Sequence, residues 1–225
     1  MDLADTLATH GILPVVTVPR PDQAVPLARA LLAGGISCVE VTFRSDAAAE
    51  AIRAIRASVP EMLVGAGTVL TTEQADAAID AGAAFLVSPG FDATVVHHAL
   101  AQDIPVMPGI ATPTELQAAL VRGLRLVKVF PAAALGGPAF LRALEGPYPM
   151  MRFVPTGGVT VANLADYLAL DCVAAVGGTW LARAGSVAAG DWAEVERLAR
   201  EALAIVKGAR AGRTPAASAT AGSVA

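Results

Sequence analysis

The chain has 225 residues and is poor in cysteine, aromatic residues and lysine. Its two cysteines, Cys38 and Cys172, both lie in apolar segments. This usage is typical of reduced core residues, whereas a disulfide framework is typical of small secreted proteins. One structural disulfide is the alternative. Aromatic residues make up only 4% of the chain, so the core must be built mainly of Ala, Val, Leu and Ile.

The charge pattern and the lack of long apolar runs exclude further classes of function. The formal net charge is −4, and the sequence has no basic block. Because nucleic-acid binding usually needs a cationic stripe, we expect no nucleic-acid partner. No apolar run approaches the roughly 18 residues of a membrane-spanning helix, and the acidic N-terminal segment has no hydrophobic signal region. We therefore expect no membrane partner and a cytoplasmic location.

Lysine is the rarest of the basic residues. Lys128 and Lys207 are the only two lysines among 16 basic residues. Lys207 is near the end of the last predicted helix, where we expect it at the surface. Lys128 instead lies within LRLVKVFPA (124–132), which otherwise has the composition of a buried strand. A charge at this position needs a chemical reason.

Eight short apolar runs are separated by Ala- and Leu-rich segments with helical spacing. Strands that are apolar throughout are typical of a parallel sheet covered by helices. Eight such units predict an α/β fold, a (β/α)₈ TIM barrel, as a single domain over 1–207. An open doubly wound sheet is the alternative, and we expect a disordered tail over 208–225. The runs begin at Leu13, Cys38, Leu63, Phe85, Pro105, Leu124, Arg152 and Ala174.

One face of the second run is polar. Alternate residues of a barrel strand point into the lumen, and active sites lie at the C-terminal ends of the strands. With Val39 and Val41 against the helices, Glu40 lies inside the barrel and Arg44 at its mouth. Glu40 is the one carboxylate in the eight runs. Burial favours the protonated form of a carboxyl group, which suits it to proton transfer. A structural pair of Glu40 with Arg44 is the alternative.

Lys128 is predicted to point into the same lumen. It shares a face with Leu126 and Phe130, whereas Val127 and Val129 face the helices. Burial of an ammonium group is costly unless the group is paired or loses its proton. The neutral amine is the nucleophile that forms a Schiff base with a carbonyl compound. The alternative is a structural ion pair with Glu40.

Glycine-rich turns follow the last two runs, as PTGG (155–158) and GGTW (177–180). Backbone N–H groups of glycines can approach an anion closely, and phosphate sites recur at this place in such barrels. Tight turns without a ligand are the alternative. Thr68 and Pro89 follow the third and fourth runs, and we expect both to line the same pocket.

The three histidines do not form a predicted metal site. His97 and His98 are adjacent, so on a helix they point about 100° apart and cannot bind the same ion. His10 precedes Gly11 at an expected helix end. No cluster of His, Cys and carboxylate residues has metal-ligand spacing, and we expect neither a metal nor a cofactor.

Seven short motifs follow one another along the chain. In order they are EVTFR (40–44), GAGTV (65–69), SPG (88–90), MPGIATPTE (107–115), KVFPA (128–132), FVPTGG (153–158) and GGTW (177–180). Together they resemble the 2-keto-3-deoxy-6-phosphogluconate (KDPG) aldolases, a family that includes 4-hydroxy-2-oxoglutarate aldolase activity. The resemblance covers about residues 7–207. It implies a metal-free homotrimeric class I aldolase that acts on a small keto-acid phosphate.

The resemblance also implies a role for each candidate site residue. Lys128 is the Schiff-base lysine and Glu40 the general acid and base. The residues implied for the pyruvate portion of the substrate are Arg44, Thr68, Pro89 and Thr156. Those implied for the phosphate are Gly157, Gly158 and Thr179.

Three positions depart from the family pattern. Ala133 stands where the family often has Glu, and Thr17 stands where some members have Arg. Thr179 replaces a frequent Ser and keeps the hydroxyl group. Arg44 can take over carboxylate binding, so no catalytic group is lost.

The implied reaction is cleavage of KDPG to pyruvate and glyceraldehyde 3-phosphate, as in an aldehyde-lyase. Cleavage of 4-hydroxy-2-oxoglutarate or of the galactonate epimer is the close alternative, although Thr156 before two glycines favours the gluconate. A phosphate-binding barrel isomerase or epimerase is a remote alternative, with Glu40 as base and Lys128 as an electrostatic aid. A non-catalytic trimeric assembly protein is another, and it would tolerate Lys128→Met.

Overall fold

The computed structural model describes residues 2–211, in which parallel strands alternate with helices. The strands are β1 (Ile12–Val16), β2 (Cys38–Thr42), β3 (Leu63–Gly67), β4 (Leu86–Val87), β5 (Val106–Met107), β6 (Gly109–Ile110), β7 (Leu126–Val129), β8 (Arg152–Pro155) and β9 (Val176–Gly178). The α-helices are α1 (Leu3–His10), α2 (Ala24–Ala33), α3 (Ala48–Ser58), α4 (Thr72–Asp80), α5 (Ala93–Ala101), α6 (Pro113–Val121), α7 (Pro138–Glu145), α8 (Leu164–Leu168), α9 (Ala184–Ala189) and α10 (Trp192–Ala211).

The strands close into a barrel. One parallel sheet has the order β5-β4-β3-β2-β1-β9, and the other has the order β6-β7-β8. Two single bridges connect the sheets, one from Phe153 to Val173, which precedes β9, and one from Thr156, which follows β8, to Gly177 of β9. The strands thus follow one another in chain order, without the order reversal of a doubly wound sheet. The predicted (β/α)₈ barrel is confirmed, and the doubly wound alternative is wrong.

Every predicted run contains a strand, and the fifth contains two. Pro108 separates β5 from β6 because proline has no N–H to donate to a ladder. The carbonyl oxygen of Pro108 still accepts a hydrogen bond from the Lys128 backbone N–H, at 2.9 Å. The interruption therefore leaves the neighbouring strand β7 in register.

The two faces of the strands are as predicted. Val39 and Val41 of β2 and Val127 and Val129 of β7 are fully buried in the apolar core. Full burial of such a side chain contributes about 1.5–3 kcal/mol. These residues hold β2 and β7 against the helices, so the alternate residues of both strands face the lumen.

Side-chain caps begin several helices at the ends of the β-to-α turns. Thr112 and Glu115 form a reciprocal capping box at α6, with Pro113 in its first turn. Thr71 and Asp92 accept backbone N–H bonds at the starts of α4 and α5. Each such cap contributes about 1 kcal/mol. The caps fix the turns at the end of the barrel where the strands terminate.

The last helix extends past the predicted domain boundary at residue 207. Helix α10 continues to Ala211, and the guanidinium group of Arg210 donates to the carbonyl oxygens of Ala8 and Ala174. The segment from Gly208 was predicted to be a tail because it is small, polar and without periodicity, whereas residues 208–211 continue α10. The rest of the predicted tail, 212–225, lies outside the described residues. Neither α10 nor another helix in 2–211 is both long and apolar enough to cross a bilayer.

Both cysteines are free and buried, so the disulfide alternative is wrong. Burial raises the pKa of the Cys172 thiol to about 12, and it raises the pKa of the Cys38 thiol as well. Because the thiolate is the reactive form, we expect a disulfide reagent at about pH 8 to label neither cysteine in the native protein. The unfolded chain, as the control, should yield two thiols. Rapid labelling of the native protein would contradict this placement.

Candidate active site

A buried ion pair lies in the lumen near the C-terminal ends of the strands. Nζ of Lys128, in β7, donates to Oε1 of Glu40, in β2, at 3.2 Å. Lys128 is 5% exposed and Glu40 is 1% exposed. The two residues lie 88 positions apart in the chain, and they meet because both strands direct them inward. An amine and a carboxyl group in this arrangement can exchange a proton directly.

Gly67 of β3 makes room for the Glu40 side chain. In the parallel ladder, Glu40 pairs with Gly65, and Gly67 follows on the same face. A Cβ atom at Gly67 would lie 2.1 Å from Oε1 of Glu40. A side chain at Gly67 would therefore displace the carboxylate. Gly67 is thus part of the site, although it carries no reactive group, whereas a Cβ at Gly65 would instead meet the ring of Phe85, at 2.2 Å.

Gly67→Ala is expected to lower kcat/KM for the aldol cleavage that the resemblance implies by at least about 100-fold, because a misplacement of roughly 1 Å can cost that much. Gly146→Ala is the matched control, since a Cβ there meets nothing within 4 Å. Steady-state kinetics and a thermal melt of both variants separate the effect on the site from an effect on folding. Wild-type kinetics in a folded Gly67→Ala variant would contradict the need for Glu40 at this position.

The second carboxylate oxygen of Glu40 is buried and is without a hydrogen-bond partner among residues 2–211. Such an oxygen destabilises the fold because its solvation is lost without replacement. A group that only neutralised Lys128 would be better placed with both oxygens satisfied. Oε2 therefore has an unused accepting position, while Oε1 contacts the amine.

A cavity of about 180 Å³ opens above this pair at the mouth of the barrel. Seven of the nine predicted site residues line it, together with Val15 and Phe130. A second cavity of about 250 Å³ shares the wall formed by Arg44 and Thr179. The seven are Arg44, Thr68, Pro89, Lys128, Thr156, Gly157 and Thr179.

Two predicted residues do not line the cavity. Glu40 is buried and contacts Lys128. Gly158 has a φ of +75°, and a Cβ there would lie 2.4 Å from Cβ of Ala133. Ala133 in turn donates its N–H to the carbonyl oxygen of Gly157, at 3.0 Å. Gly158 therefore allows the turn after β8 to pack on the turn after β7.

Val15 and Phe130 belong to the cavity wall but were not predicted there. Phe130 lies two residues after Lys128, and its ring centroid is 5.8 Å from Nζ. The same alternation that placed Lys128 in the lumen was therefore a usable signal for Phe130. The backbone of β1 pairs Val15 with Glu40, a contact that the sequence alone does not reveal.

Thr68 reaches the cavity with an unfavourable backbone. Its φ is +57°, and Asp103 is the other non-glycine residue with positive φ in the described part of the chain. A β-branched residue rarely adopts this conformation, which costs about 1–3 kcal/mol. Thr68 lines the cavity in this conformation.

Thr68→Asn is expected to raise the free energy of unfolding by about 1 kcal/mol, because asparagine tolerates positive φ. The same change should lower kcat/KM at least about tenfold if the hydroxyl group makes the substrate contact that the resemblance implies. Asp103→Gly, which relaxes the other strained position, should leave the kinetics unchanged. Denaturant unfolding and steady-state kinetics test both effects. A Thr68→Asn variant with unaltered kcat/KM would show that the strain has no role in the site.

No group of three or more His, Cys, Asp or Glu side chains in residues 2–211 is arranged to hold a metal ion. The chemistry that the described site offers is that of an amine, a carboxyl group, hydroxyl groups and one guanidinium group. Amine and carboxyl groups together suit the formation and hydrolysis of a Schiff base.

The sequence matches known proteins over most of its length. The family model for KDPG and KHG aldolase matches residues 3–198. The chain is 54% identical over 202 residues to the 2-dehydro-3-deoxy-phosphogluconate aldolase of Treponema pallidum, covering 90% of this chain and 96% of the relative. It is 46% identical over 201 residues to the KHG/KDPG aldolase of Escherichia coli K12, covering 89% of this chain and 94% of the relative.

Solved structures of KDPG aldolases are also similar to this chain. The 2-keto-3-deoxy-6-phosphogluconate aldolase of Zymomonas mobilis superposes with a TM-score of 0.86 at 38% identity, over 91% of this chain and 98% of that one. The KDPG aldolase of Legionella pneumophila, solved with pyruvate captured as a covalent carbinolamine, has a TM-score of 0.86 at 36% identity, over 89% and 97%. The chain belongs to the KDPG and KHG aldolase family.

Proposed function

We propose that this protein is a class I aldolase that cleaves KDPG to pyruvate and glyceraldehyde 3-phosphate. The observation that carries the proposal is the buried contact of 3.2 Å between Nζ of Lys128 and Oε1 of Glu40, at the base of a cavity. The names of the relatives from Treponema pallidum and Escherichia coli support KDPG as the substrate.

The first step is formation of the Schiff base. A proton moves from the Lys128 ammonium group to Glu40, which converts a buried ion pair into a neutral pair of amine and carboxylic acid. The neutral amine attacks the C2 carbonyl carbon of the substrate, and the carbonyl oxygen becomes the carbinolamine hydroxyl group. Glu40 donates its proton to that hydroxyl group, and water leaves as the protonated imine forms.

The second step breaks the bond between C3 and C4. The Glu40 carboxylate takes the proton of the C4 hydroxyl group, and the bonding electrons flow into the protonated imine. Glyceraldehyde 3-phosphate leaves, and a neutral enamine remains on Lys128. Glu40 returns its proton to C3 of the enamine. Hydrolysis of the resulting imine releases pyruvate and regenerates the amine.

The remaining cavity residues hold the two ends of the substrate. We assign the pyruvate carboxylate to Arg44, Thr68 and Thr156, with Pro89 packed beside the methyl carbon. Arg44 supplies the positive charge, and the hydroxyl groups supply hydrogen bonds. The assigned phosphate site consists of the turn at Gly157 and Gly158 and the hydroxyl group of Thr179.

Three substrates must be compared because the family acts on related keto acids. We expect the highest kcat/KM for KDPG, since the phosphate gains contacts that 4-hydroxy-2-oxoglutarate lacks. The phosphogalactonate epimer tests the hydroxyl group of Thr156. A preparation of Lys128→Ala is the control for contaminating aldolase. No turnover of any of the three by the wild-type chain would refute the proposal, and turnover without a reducible adduct would favour the isomerase-type use of Glu40.

The assembly that we propose is a homotrimer in the cytoplasm. A designed cage built by fusing symmetric oligomeric domains is similar to this chain, with a TM-score of 0.80 at 32% identity. Large apolar side chains such as Leu70 and Val121 are exposed on the described chain, by 54% and 73%. Light scattering should give three times the chain mass of 22.7 kDa. A monomer mass would refute the trimer without affecting the proposed chemistry.

A further inference from the structure

Two threonine hydroxyl groups lie behind Arg44 and have no part in the proposed reaction steps. We infer that Thr42, supported by Thr17, positions the Arg44 guanidinium group for the substrate carboxylate. This inference rests on the proposed function and names a positioning device for the same site. It is carried by three hydrogen bonds at the ends of β1 and β2, two of which join the two strand ends.

Arg44 needs such a device because it is an exposed residue at the mouth of the barrel. Nε of Arg44 donates to Oγ1 of Thr42 at 3.3 Å. Among the described residues Arg44 makes no ion pair, and Thr42 is its one hydrogen-bond partner. An arginine with a free side chain loses conformational entropy when it binds a ligand. A tether at Nε reduces this loss before the substrate arrives.

Thr42 is a rigid anchor for that tether. It is 1% exposed, and it lies in β2 on the same face as Glu40. Its Oγ1 donates to the carbonyl oxygen of Val16 at 3.0 Å and lies 2.8 Å from Oγ1 of Thr17. Because the strand fixes the backbone and these bonds fix the hydroxyl group, Thr42 holds one orientation.

Counting protons gives the hydrogen bonds a direction. Thr42 has one hydroxyl proton, and the carbonyl oxygen of Val16 accepts it. Oγ1 of Thr42 therefore accepts from both Arg44 and Thr17, so Thr17 is the donor in the pair of hydroxyl groups. Each of the three bonds then has one donor and one acceptor.

The tether also selects the edge of the guanidinium group that meets the substrate. Arginine binds a carboxylate with two parallel N–H bonds, through either of two edges. Thr42 occupies the Nε position, which leaves the edge formed by Nη1 and Nη2. Arg44 lines both cavities at the mouth, so this edge can face a carboxylate held above Lys128.

The test measures the pyruvate concentration that gives half-maximal adduct formation on borohydride reduction. Thr42→Val keeps the size of the side chain but removes the acceptor, and we expect it to raise this concentration about tenfold. Thr42→Ser, which restores the hydroxyl group, should return it to within about twofold of wild type. Thr17→Val leaves the bond to Arg44 intact and should have a smaller effect than Thr42→Val.

A double-mutant cycle with Arg44→Ala tests whether Thr42 acts through Arg44. In the Arg44→Ala background, Thr42→Val should cause no further rise. An equal rise in both backgrounds, or a Thr42→Val variant that loses thermal stability but keeps the wild-type pyruvate dependence, would overturn the inference. A wild-type chain that forms no adduct would instead refute the proposed function, so the two failures are distinguishable.

Discussion

Lys128→Arg is expected to lower kcat/KM for KDPG cleavage by at least about 10⁴-fold, as removal of a covalent nucleophile does in other enzymes. Arginine keeps the positive charge on a slightly longer and bulkier side chain, so it can still form an ion pair with Glu40. The guanidinium group stays protonated and cannot form an imine. The expected loss of kcat/KM therefore reports the role of Lys128 as a nucleophile and not its role as a charge.

The chain provides a matched control for this substitution. Lys207, in α10, is the other lysine, and it is exposed. Lys207→Arg should retain wild-type kinetics, and thermal melts should show that both variants fold. If Lys128→Arg kept more than about a tenth of wild-type kcat/KM, the lysine would act only as a charge, as an isomerase-type mechanism requires.

Glu40→Gln is expected to lower kcat by about 10²–10⁴-fold, which is the usual range for loss of general acid–base catalysis. The amide has nearly the same size as the carboxyl group and can still accept a hydrogen bond from Lys128. It cannot carry the proton that carbinolamine dehydration and bond cleavage both require. We therefore expect formation of the pyruvate adduct to become slow but not to be abolished.

Pre-steady-state formation of the adduct, followed by rapid quenching in borohydride, separates these effects. Glu61→Gln is the control, since Glu61 is an exposed carboxylate. Equal rates of adduct formation and cleavage in Glu40→Gln and wild type would mean that Glu40 is merely the counter-ion of Lys128. The unpartnered Oε2 of Glu40 would then have no explanation in the proposed mechanism.

The faces of the strands were predictable because side chains in a strand alternate with a period of two. That rule placed Glu40 and Lys128 in one lumen, and the structure shows them in contact. The eight apolar runs predicted the order of the barrel because sequential β-α units have few ways to pack. The motifs predicted the family. Residues with a strong local pattern were therefore predicted well.

Contacts that depend on the register of neighbouring strands were not predictable. The closeness of Gly67 to Glu40 and the hydrogen bond from Thr17 to Thr42 each join two strands, and a shift of one residue would remove them. Gly157 and Gly158 were both assigned to a phosphate site, and of the two only Gly157 lines the cavity, whereas a Cβ at Gly158 would meet Ala133. The sequence identifies a glycine turn without showing which of its residues faces a ligand.

The central claim is that the amine of Lys128 bonds covalently to the substrate. Borohydride reduction in the presence of pyruvate, followed by tryptic digestion and mass spectrometry, tests it most directly. The modified lysine resists trypsin, so the peptide 126–142 should survive uncut and carry the mass of a reduced pyruvyl group. The Lys207 peptide and a sample without pyruvate should be unchanged. Complete cleavage after Lys128, or an adduct found only on another amine, would contradict the account.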